Sequence, residues 1–119
     1  MGAEELSNAL RGTDEVQLTV TGRTSARESS RPVWFVHEGE TLYLLPVSGS
    51  DSNWYKNLLT TSAIGLAAGG TEFSARAIPI DDDAKVREVV DKFRAKYGAD
   101  QVESYYPKQD VAVEVPLTA

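Results

Sequence analysis

Short runs in which apolar and polar residues alternate restrict most strongly what this chain can fold into. In the run 16–21 a valine or leucine occupies every second position, which predicts a β-strand with one buried face. Comparable strand-like runs follow along the chain, separated by glycine-containing turns, polar stretches or helical segments. They occupy 31–37, 41–47, 62–68, 72–80 and 111–117. The sequence therefore predicts about six short strands.

The links between these runs indicate how the strands are connected. Glu38-Gly39-Glu40 separates the second run from the third, and Gly69-Gly70 separates the fourth from the fifth. Links this short, with glycine in the turn, join antiparallel strands as hairpins. Such strands are too few and too alternating for a doubly wound parallel sheet. They are typical of a mainly β fold, a small closed or split β-barrel flanked by helices.

Helical periodicity appears at four places along the chain. It is strongest in a segment where valine, phenylalanine and tyrosine recur on one face and Gly98 follows. Asp81 to Asp83 precede that segment, and N-capping and stabilisation of the helix dipole account for them, so no metal site is predicted. The predicted helices are an N-terminal helix within 1–12 and helices at 53–59, 83–97 and 100–106.

Composition argues against several classes of function. The chain has no cysteine, which removes disulfides, thiolate nucleophiles and cysteine metal sites. Its formal net charge of −6 argues against sequence-independent nucleic-acid binding, which needs Lys and Arg to neutralise phosphates. No apolar run approaches the ~20 residues of a transmembrane helix, and the first residues lack the pattern of a signal peptide. We therefore expect a cytoplasmic protein of one domain, 1–119, whose barrel occupies 13–119.

Positive charge is concentrated in one segment of this acidic chain. Residues 22–36 contain Arg23, Arg27 and Arg31 against the single acid Glu28, which gives the segment a net charge of +2. A local basic segment suits a compact anionic ligand better than a long polyanion. The alternative is that the three arginines are merely solvated in a polar loop.

A loop of small residues, Ser48 to Ser52, follows the third strand-like run. Little side-chain bulk lets a ligand approach the backbone closely, and the helix that follows offers unpaired N–H groups and the positive end of its dipole. Trp54 and Asn57 add an aromatic face and an amide beside the loop. An ordinary strand–loop–helix connection, with Trp54 anchored in the core, is the alternative.

Four short motifs occur in order along the chain: Thr21-Gly-Arg-Thr-Ser25, Arg31-Pro-Val-Trp-Phe-Val36, Ser48-Gly49 and Asn53-Trp-Tyr-Lys-Asn-Leu58. Together they resemble the deazaflavin-dependent nitroreductase family, in a likeness that covers about 16–117. The resemblance implies a split β-barrel related to the FMN-binding oxidoreductases. It also implies coenzyme F420 as the cofactor, whose reduced form delivers a hydride to quinones, nitro compounds or other conjugated acceptors.

The resemblance also implies roles for individual residues. The residues implied for the anionic tail of the cofactor are Thr24, Ser25 and Ser29, followed on the strand by Pro32 and Trp34. The positive charges of Arg23, Arg27 and Arg31 suit the same tail. Those implied for its ring are Val47, Ser48, Gly49, Trp54 and Asn57. Tyr105 and Tyr106 resemble the C-terminal tyrosines that line the family's acceptor pocket. Because the cofactor's own ring carries the redox chemistry, neither a catalytic side chain nor a metal is implied.

The tail-binding loop departs from the family's usual pattern. Members usually have Lys-Ser/Thr-Gly followed two residues later by Arg, whereas Thr24, Ala26 and Ser29 stand at the Lys, Gly and Arg positions here. The neighbouring arginines are expected to supply the missing charge. The alternatives are an FMN-binding reductase of the same fold, a non-enzymatic carrier of F420 or flavin, and a barrel that has lost its cofactor site. Related barrels are often dimers, so a homodimer is a further expectation.

Overall fold

Seven antiparallel strands form the centre of the protein, in a computed structural model that describes residues 3–22, 24 and 27–117. The strands are β1 (Glu15–Thr21), β2 (Glu28–Glu38), β3 (Thr41–Leu44), β4 (Ala63–Ala68), β5 (Thr71–Arg76), β6 (Ile78–Ile80) and β7 (Ala112–Pro116). They lie side by side in the order β5-β4-β1-β2-β3-β7-β6. The predicted fold class, a mainly antiparallel split β-barrel with flanking helices, is confirmed.

The strand count exceeds the predicted six because the run at 72–80 is divided at Ala77. The Ala77 N–H donates to the carbonyl oxygen of Ser62 at 2.8 Å, while the residues that follow pair with β7. The chain thus passes from the β4 side to the β7 side at one residue. Because β5 and β6 are the two ends of the sheet order and are also consecutive in the chain, the sheet curls round into a barrel.

In the described part of the chain, four α-helices flank the barrel, close to where the sequence predicts them. They are α1 (Ala3–Leu10), α2 (Asn53–Thr60), α3 (Asp83–Tyr97) and α4 (Ala99–Tyr105). The expected N-cap is confirmed, since the Asp82 carboxylate accepts a hydrogen bond from the Lys85 N–H at 3.1 Å. Gly98, at φ +96°, ends α3 and allows α4 to follow immediately. Within the described residues, no helix has the length and apolar character that a membrane crossing requires.

Alternation along β2 divides the apolar residues into two clusters. Val33 and Phe35 point into the barrel, where side chains from α1, α2 and most strands join them. Val36 points to the opposite face, where Trp34 packs beside it and α3 and α4 cover the sheet. The two clusters therefore place the end of α4 against the outer face of β2.

The end of α3 is fixed at the residue where β2 changes partner. β2 pairs with β1 as far as Trp34 and with β3 from Phe35 onward. At this point the Tyr97 hydroxyl accepts from the Phe35 N–H at 3.1 Å and lies 2.8 Å from the carbonyl oxygens of both Asp14 and Phe35, to one of which it donates. Lys96 Nζ donates to the same Phe35 carbonyl at 2.8 Å. The backbone N–H and carbonyl of Phe35 therefore bond to side chains of α3 at the point where the pairing of β2 with β1 ends.

We expect Tyr97→Phe to lower the free energy of unfolding by about 1–3 kcal/mol, because the Phe35 N–H would lose its partner in a half-buried place. The aromatic ring and its packing would remain. Urea denaturation followed by circular dichroism measures the change. Tyr43→Phe is the matched control, since the Tyr43 hydroxyl makes no hydrogen bond with a described residue, and it should shift stability by less than about 0.5 kcal/mol. Equal losses in the two variants would contradict this role for Tyr97.

Candidate functional site

A groove of about 750 Å³ lies where three separate parts of the chain meet. The first half of β2 forms one wall, the loop after β3 and the start of α2 form the second, and the end of α4 forms the third. The structure brings together here the predicted site residues Ser29, Arg31, Pro32, Trp34, Val47, Ser48, Trp54, Asn57, Tyr105 and Tyr106. The basic strand and the serine-containing loop predicted from sequence therefore face one cavity.

Three other predicted site residues, Thr24, Arg27 and Gly49, do not line the groove. Thr24 and Arg27 are exposed in the β1–β2 connection and are not among the residues that line the groove. Gly49 is buried and also does not line it. Arg23 and Ser25 fall outside the described residues.

Several residues that line the groove were not predicted from the sequence as cofactor or substrate contacts. They are Val20, Ser30, Val33, Leu45, Asp51, Ser52 and Asn53. Ser30, Val33 and Asn53 are direct neighbours of predicted residues in the chain, and Leu45, Asp51 and Ser52 each lie two residues from one. Val20 is the exception, because only the β1–β2 pairing brings it to the groove through its partner Ser29.

Trp34 is covered on both faces by tyrosine rings. Its ring stacks on Tyr97 at a centroid distance of 4.3 Å and on Tyr105 at 4.4 Å, with interplanar angles of 11° and 26°. Two rings cannot occupy one face of an indole at these distances, so they lie on opposite faces. Trp34 therefore has no free face to stack on a ligand. Tyr105, which is 39% exposed and lines the groove, is the aromatic surface that remains available.

Two buried side chains that line the groove, Trp54 and Tyr106, carry polar atoms without a partner among the described residues. Trp54 is 3% exposed and Tyr106 2% exposed, and neither the indole N–H nor the hydroxyl has a hydrogen-bond partner among the described residues. In the described part of the chain, every side-chain nitrogen or oxygen that is fully enclosed has a hydrogen-bond partner. Since these two polar atoms have none, each must be partly accessible to solvent. The groove is the cavity that both residues line.

Burial raises the pKa of the Tyr106 hydroxyl above its ordinary value, and the neighbouring Tyr105 and Tyr97 add to the effect. The hydroxyl therefore stays protonated at neutral pH. Together with the indole N–H of Trp54, it gives the groove two uncharged hydrogen-bond donors.

The backbone of the loop 48–52 is satisfied within the protein. The Ser48 N–H donates to Ser52 Oγ at 2.8 Å, the Gly49 N–H to the Pro46 carbonyl at 3.0 Å, and the Ser50 N–H to Asp110 Oδ1 at 2.9 Å. The small residues of this loop predict a close approach of a ligand to its backbone. In the structure the group that approaches closely is the chain's own segment 108–110, sixty residues later.

Charge in the groove is concentrated on Arg31. It is the only Lys or Arg among the described residues that line the groove, and no carboxylate of a described residue forms an ion pair with it. The groove's carboxylate, Asp51, is paired with Lys108 at 2.8 Å, which holds the pKa of Asp51 below its ordinary value. Arg31 therefore offers a positive charge that an anionic ligand can use. Across the described residues, no three His, Asp or Glu side chains converge in a way that would hold a metal.

Comparison with known proteins gives a family and a set of similar folds. A family model described as an uncharacterized protein conserved in bacteria, DUF2255, matches residues 6–115. No curated protein matches the chain.

Three similar solved structures have different descriptions. An F420-H2 dependent reductase, FDR-A, shares 16% identity over 86% of this chain and 93% of its own, with a TM-score of 0.67. A candidate 5-nitroimidazole antibiotic resistance protein from Bacteroides thetaiotaomicron shares 16% identity over 95% of this chain and 78% of its own, with a TM-score of 0.72. HutZ, a heme storage protein from Vibrio cholerae, shares 16% identity over 100% of this chain and 92% of its own, with a TM-score of 0.72. At this identity the likeness shows a shared fold.

Proposed function

This chain belongs to the DUF2255 family, and we propose that it binds a flavin-type cofactor in the groove and serves hydride transfer to a conjugated organic acceptor. The family description assigns no activity, so the proposal rests on the groove itself. Coenzyme F420 is the first candidate, because of the four motifs that resemble the deazaflavin-dependent nitroreductases.

The observation that carries the proposal is the combination of an aromatic surface and an unpaired cation in one cavity. Tyr105 offers a ring face, Val47 adds apolar wall, and Arg31 lies three residues along β2 from Trp34, about 10 Å at ~3.3 Å per strand residue. A flat ring joined to an anionic tail has the same polarity and a similar extent. The volume of about 750 Å³ lies within the range of roughly 300–1,000 Å³ typical of small-molecule sites.

The chain's own residues supply binding and orientation. Tyr105 would stack on one face of a planar ring, and Arg31 would hold the anionic group. The Trp54 N–H and the Tyr106 hydroxyl would donate hydrogen bonds to carbonyl, nitro or ring acceptor atoms, and Tyr106 would do so as a neutral donor. When bound, the reduced cofactor supplies the hydride, so the protein needs no nucleophile of its own.

FMN is the second candidate, favoured by the charge of the groove. Arg31 alone, among the described residues that line it, carries a positive charge, which matches one phosphate better than a phosphate with several carboxylates. Fluorescence titration of the purified protein with F420 and with FMN decides between them. We expect micromolar or tighter binding of F420 and weaker binding of FMN; binding of FMN alone would select the second candidate.

Turnover separates an enzyme from a carrier. We expect the bound reduced cofactor to be oxidised when a quinone or a nitroaromatic compound is added, as followed by absorbance. Binding without acceptor-dependent loss of the reduced form would favour a non-enzymatic carrier, the kind of role that the description of HutZ names for that protein. Failure to bind either cofactor would overturn the proposal.

Arg31→Ala should weaken cofactor binding roughly tenfold or more, the loss expected for a charged hydrogen bond in a partly enclosed site. The effect should be greater at low ionic strength, because salt screens the interaction in the wild type. Arg87→Ala, which removes the same charge from the exposed face of α3, is the matched control and should leave the affinity unchanged. Arg27→Ala should have a smaller effect than Arg31→Ala, since Arg27 lies outside the groove. An unchanged affinity in Arg31→Ala would place the anionic tail elsewhere.

A further inference from the structure

Four side chains connect two walls of the groove, and we call them the latch: Ser50, Asp51, Lys108 and Asp110. Asp110 Oδ1 accepts from the Ser50 N–H at 2.9 Å, and Asp110 Oδ2 accepts from the Ser50 hydroxyl at 2.5 Å. Lys108 Nζ lies 2.8 Å from Asp51 Oδ2 and 3.9 Å from Asp110 Oδ2. The two halves of the latch are about sixty residues apart in the chain, so it is a tertiary connection.

Each half of the latch belongs to a different wall. Ser50 follows Ser48 in the loop after β3, and Ser48 lines the groove. Asp110 follows the end of α4, where Tyr105 and Tyr106 line the opposite side. The side chain of Gln109 donates from Nε2 to the Tyr106 carbonyl at 3.1 Å, which ties the latch segment to the end of α4. The latch therefore fixes the separation between the loop wall and the tyrosine wall.

We propose that Asp110 is a positioning residue, which holds the Tyr105 wall and the loop wall at the spacing that the groove's ligand requires. Asp110 itself does not line the groove, so it acts through Ser50 on one side and through the segment after α4 on the other. Asp110 sets the spacing of the two walls whether or not a ligand is bound. Its effect on cofactor affinity rests on the proposed function.

Asp110 is ionised at neutral pH, so its hydrogen bonds with Ser50 are formed there. Burial raises the pKa of Asp110. The hydrogen bonds from the Ser50 side chain and backbone, together with the nearby Lys108, lower it by more than burial raises it, so the pKa lies below the ordinary value of 3.8. A carboxylate with a lowered pKa contributes stability that is present above its unfolded pKa and is lost as the pH falls through its folded pKa. Among the described residues, the other titratable groups that interact with the two latch carboxylates are Tyr55 and Lys56.

The test begins without ligand, in a Trp54→Phe background where Trp34 is the remaining tryptophan. Asp110→Ala should raise acrylamide quenching of Trp34, because the Tyr105 ring that covers one face of the indole would be less firmly held. The Ser50 amide should also exchange roughly tenfold faster by NMR, as expected for the loss of a hydrogen bond to a charged acceptor. Asp91→Ala, an exposed aspartate paired with Arg94 on α3, is the matched control.

The second arm measures affinity for F420 and FMN with Trp54 restored. Asp110→Ala should bind the preferred cofactor roughly tenfold more weakly, and Asp110→Asn, which keeps an acceptor for the Ser50 N–H, should recover part of that loss. The wild-type affinity should fall only as the pH drops below 3.8, the ordinary value, because the pKa of folded Asp110 lies lower still, and this acid dependence should be reduced in Asp110→Asn. Ser50→Ala removes the hydroxyl that donates to Asp110 but keeps the Ser50 N–H, so it is the milder variant to use if Asp110→Ala does not fold.

The outcomes separate the two claims. Unchanged Trp34 quenching in both Asp110→Ala and Ser50→Ala would overturn the positioning role, whatever binds. Increased quenching in a protein whose wild type binds neither cofactor would support the positioning role and overturn the proposed function. Weaker binding in Asp110→Asn and Asp110→Ala to the same extent, with no change in the acid dependence, would overturn the role of the carboxylate.

Discussion

Gly49→Ala should lower the free energy of unfolding by about 2–4 kcal/mol, since two costs add at this position. Gly49 has φ +56°, a left-handed conformation that side chains with a Cβ adopt at a cost. A Cβ there would also meet the carbonyl oxygen of Lys108 at 2.9 Å, in addition to the side chains of Lys108 and Asp110. Because the Lys108 contact is with backbone, it cannot be relieved by a rotamer change. Urea denaturation measures the loss.

Gly39→Ala is the matched control for this prediction. Gly39 has nearly the same backbone conformation, φ +58°, but nothing lies within 4 Å of a Cβ built on it. It should therefore lose only the conformational part, about 1 kcal/mol. The difference between the two variants measures the close approach of segment 108–110 to the loop. If both lost the same amount, that approach would be contradicted.

Trp34→Ala should cost about 3 kcal/mol of unfolding free energy, at the lower end of the range for a truncated tryptophan because Trp34 is only half-buried. The indole separates Tyr97 from Tyr105 and also contacts the edge of Tyr106 at a centroid distance of 5.9 Å. Its removal would leave the end of α4 without its main contact on β2. Denaturation and near-UV circular dichroism, which reports the aromatic cluster, measure the effect.

Trp34→Phe tests whether Trp34 serves the packing between Tyr97 and Tyr105 or a direct contact with a ligand in the groove. Phenylalanine can still lie between the two tyrosine rings, so stability should fall by only about 1 kcal/mol. If Trp34 instead stacked directly on a cofactor, Trp34→Phe would weaken cofactor binding although it costs little stability, and Trp34→Ala would weaken binding more. We expect Trp34→Phe to retain most of the affinity, because Tyr105 is the exposed ring.

The strands and helices follow from the sequence because each rests on local periodicity. The long helix α3 occupies the predicted residues 83–97, where apolar side chains recur on one face and Gly98 stops the helix. The division of the run 72–80 at Ala77 does not follow, since it depends on a backbone bond to Ser62 and on pairing with a strand far along the chain. Local alternation cannot distinguish a straight strand from one that changes partner.

Part of the groove could be predicted from sequence, namely the part that depends on short local motifs. Arg31, Ser48 and Trp54 could be named from short motifs, and the fold brings them to one cavity. The covering of Trp34 by Tyr97 and Tyr105, and the approach of Asp110 to Gly49, could not, because each joins residues about sixty positions apart or more. No short motif carries a contact of that kind.

The position of β7 within the sheet has a consequence for how the protein is made. β7 lies between β3 and β6, although it is translated after both of them. Until residue 116 has left the ribosome, those two strands present open edges, the surfaces most prone to pair with another chain. Barrel closure therefore requires β7, and a nascent chain that lacks β7 leaves two strand edges open to pairing with another chain.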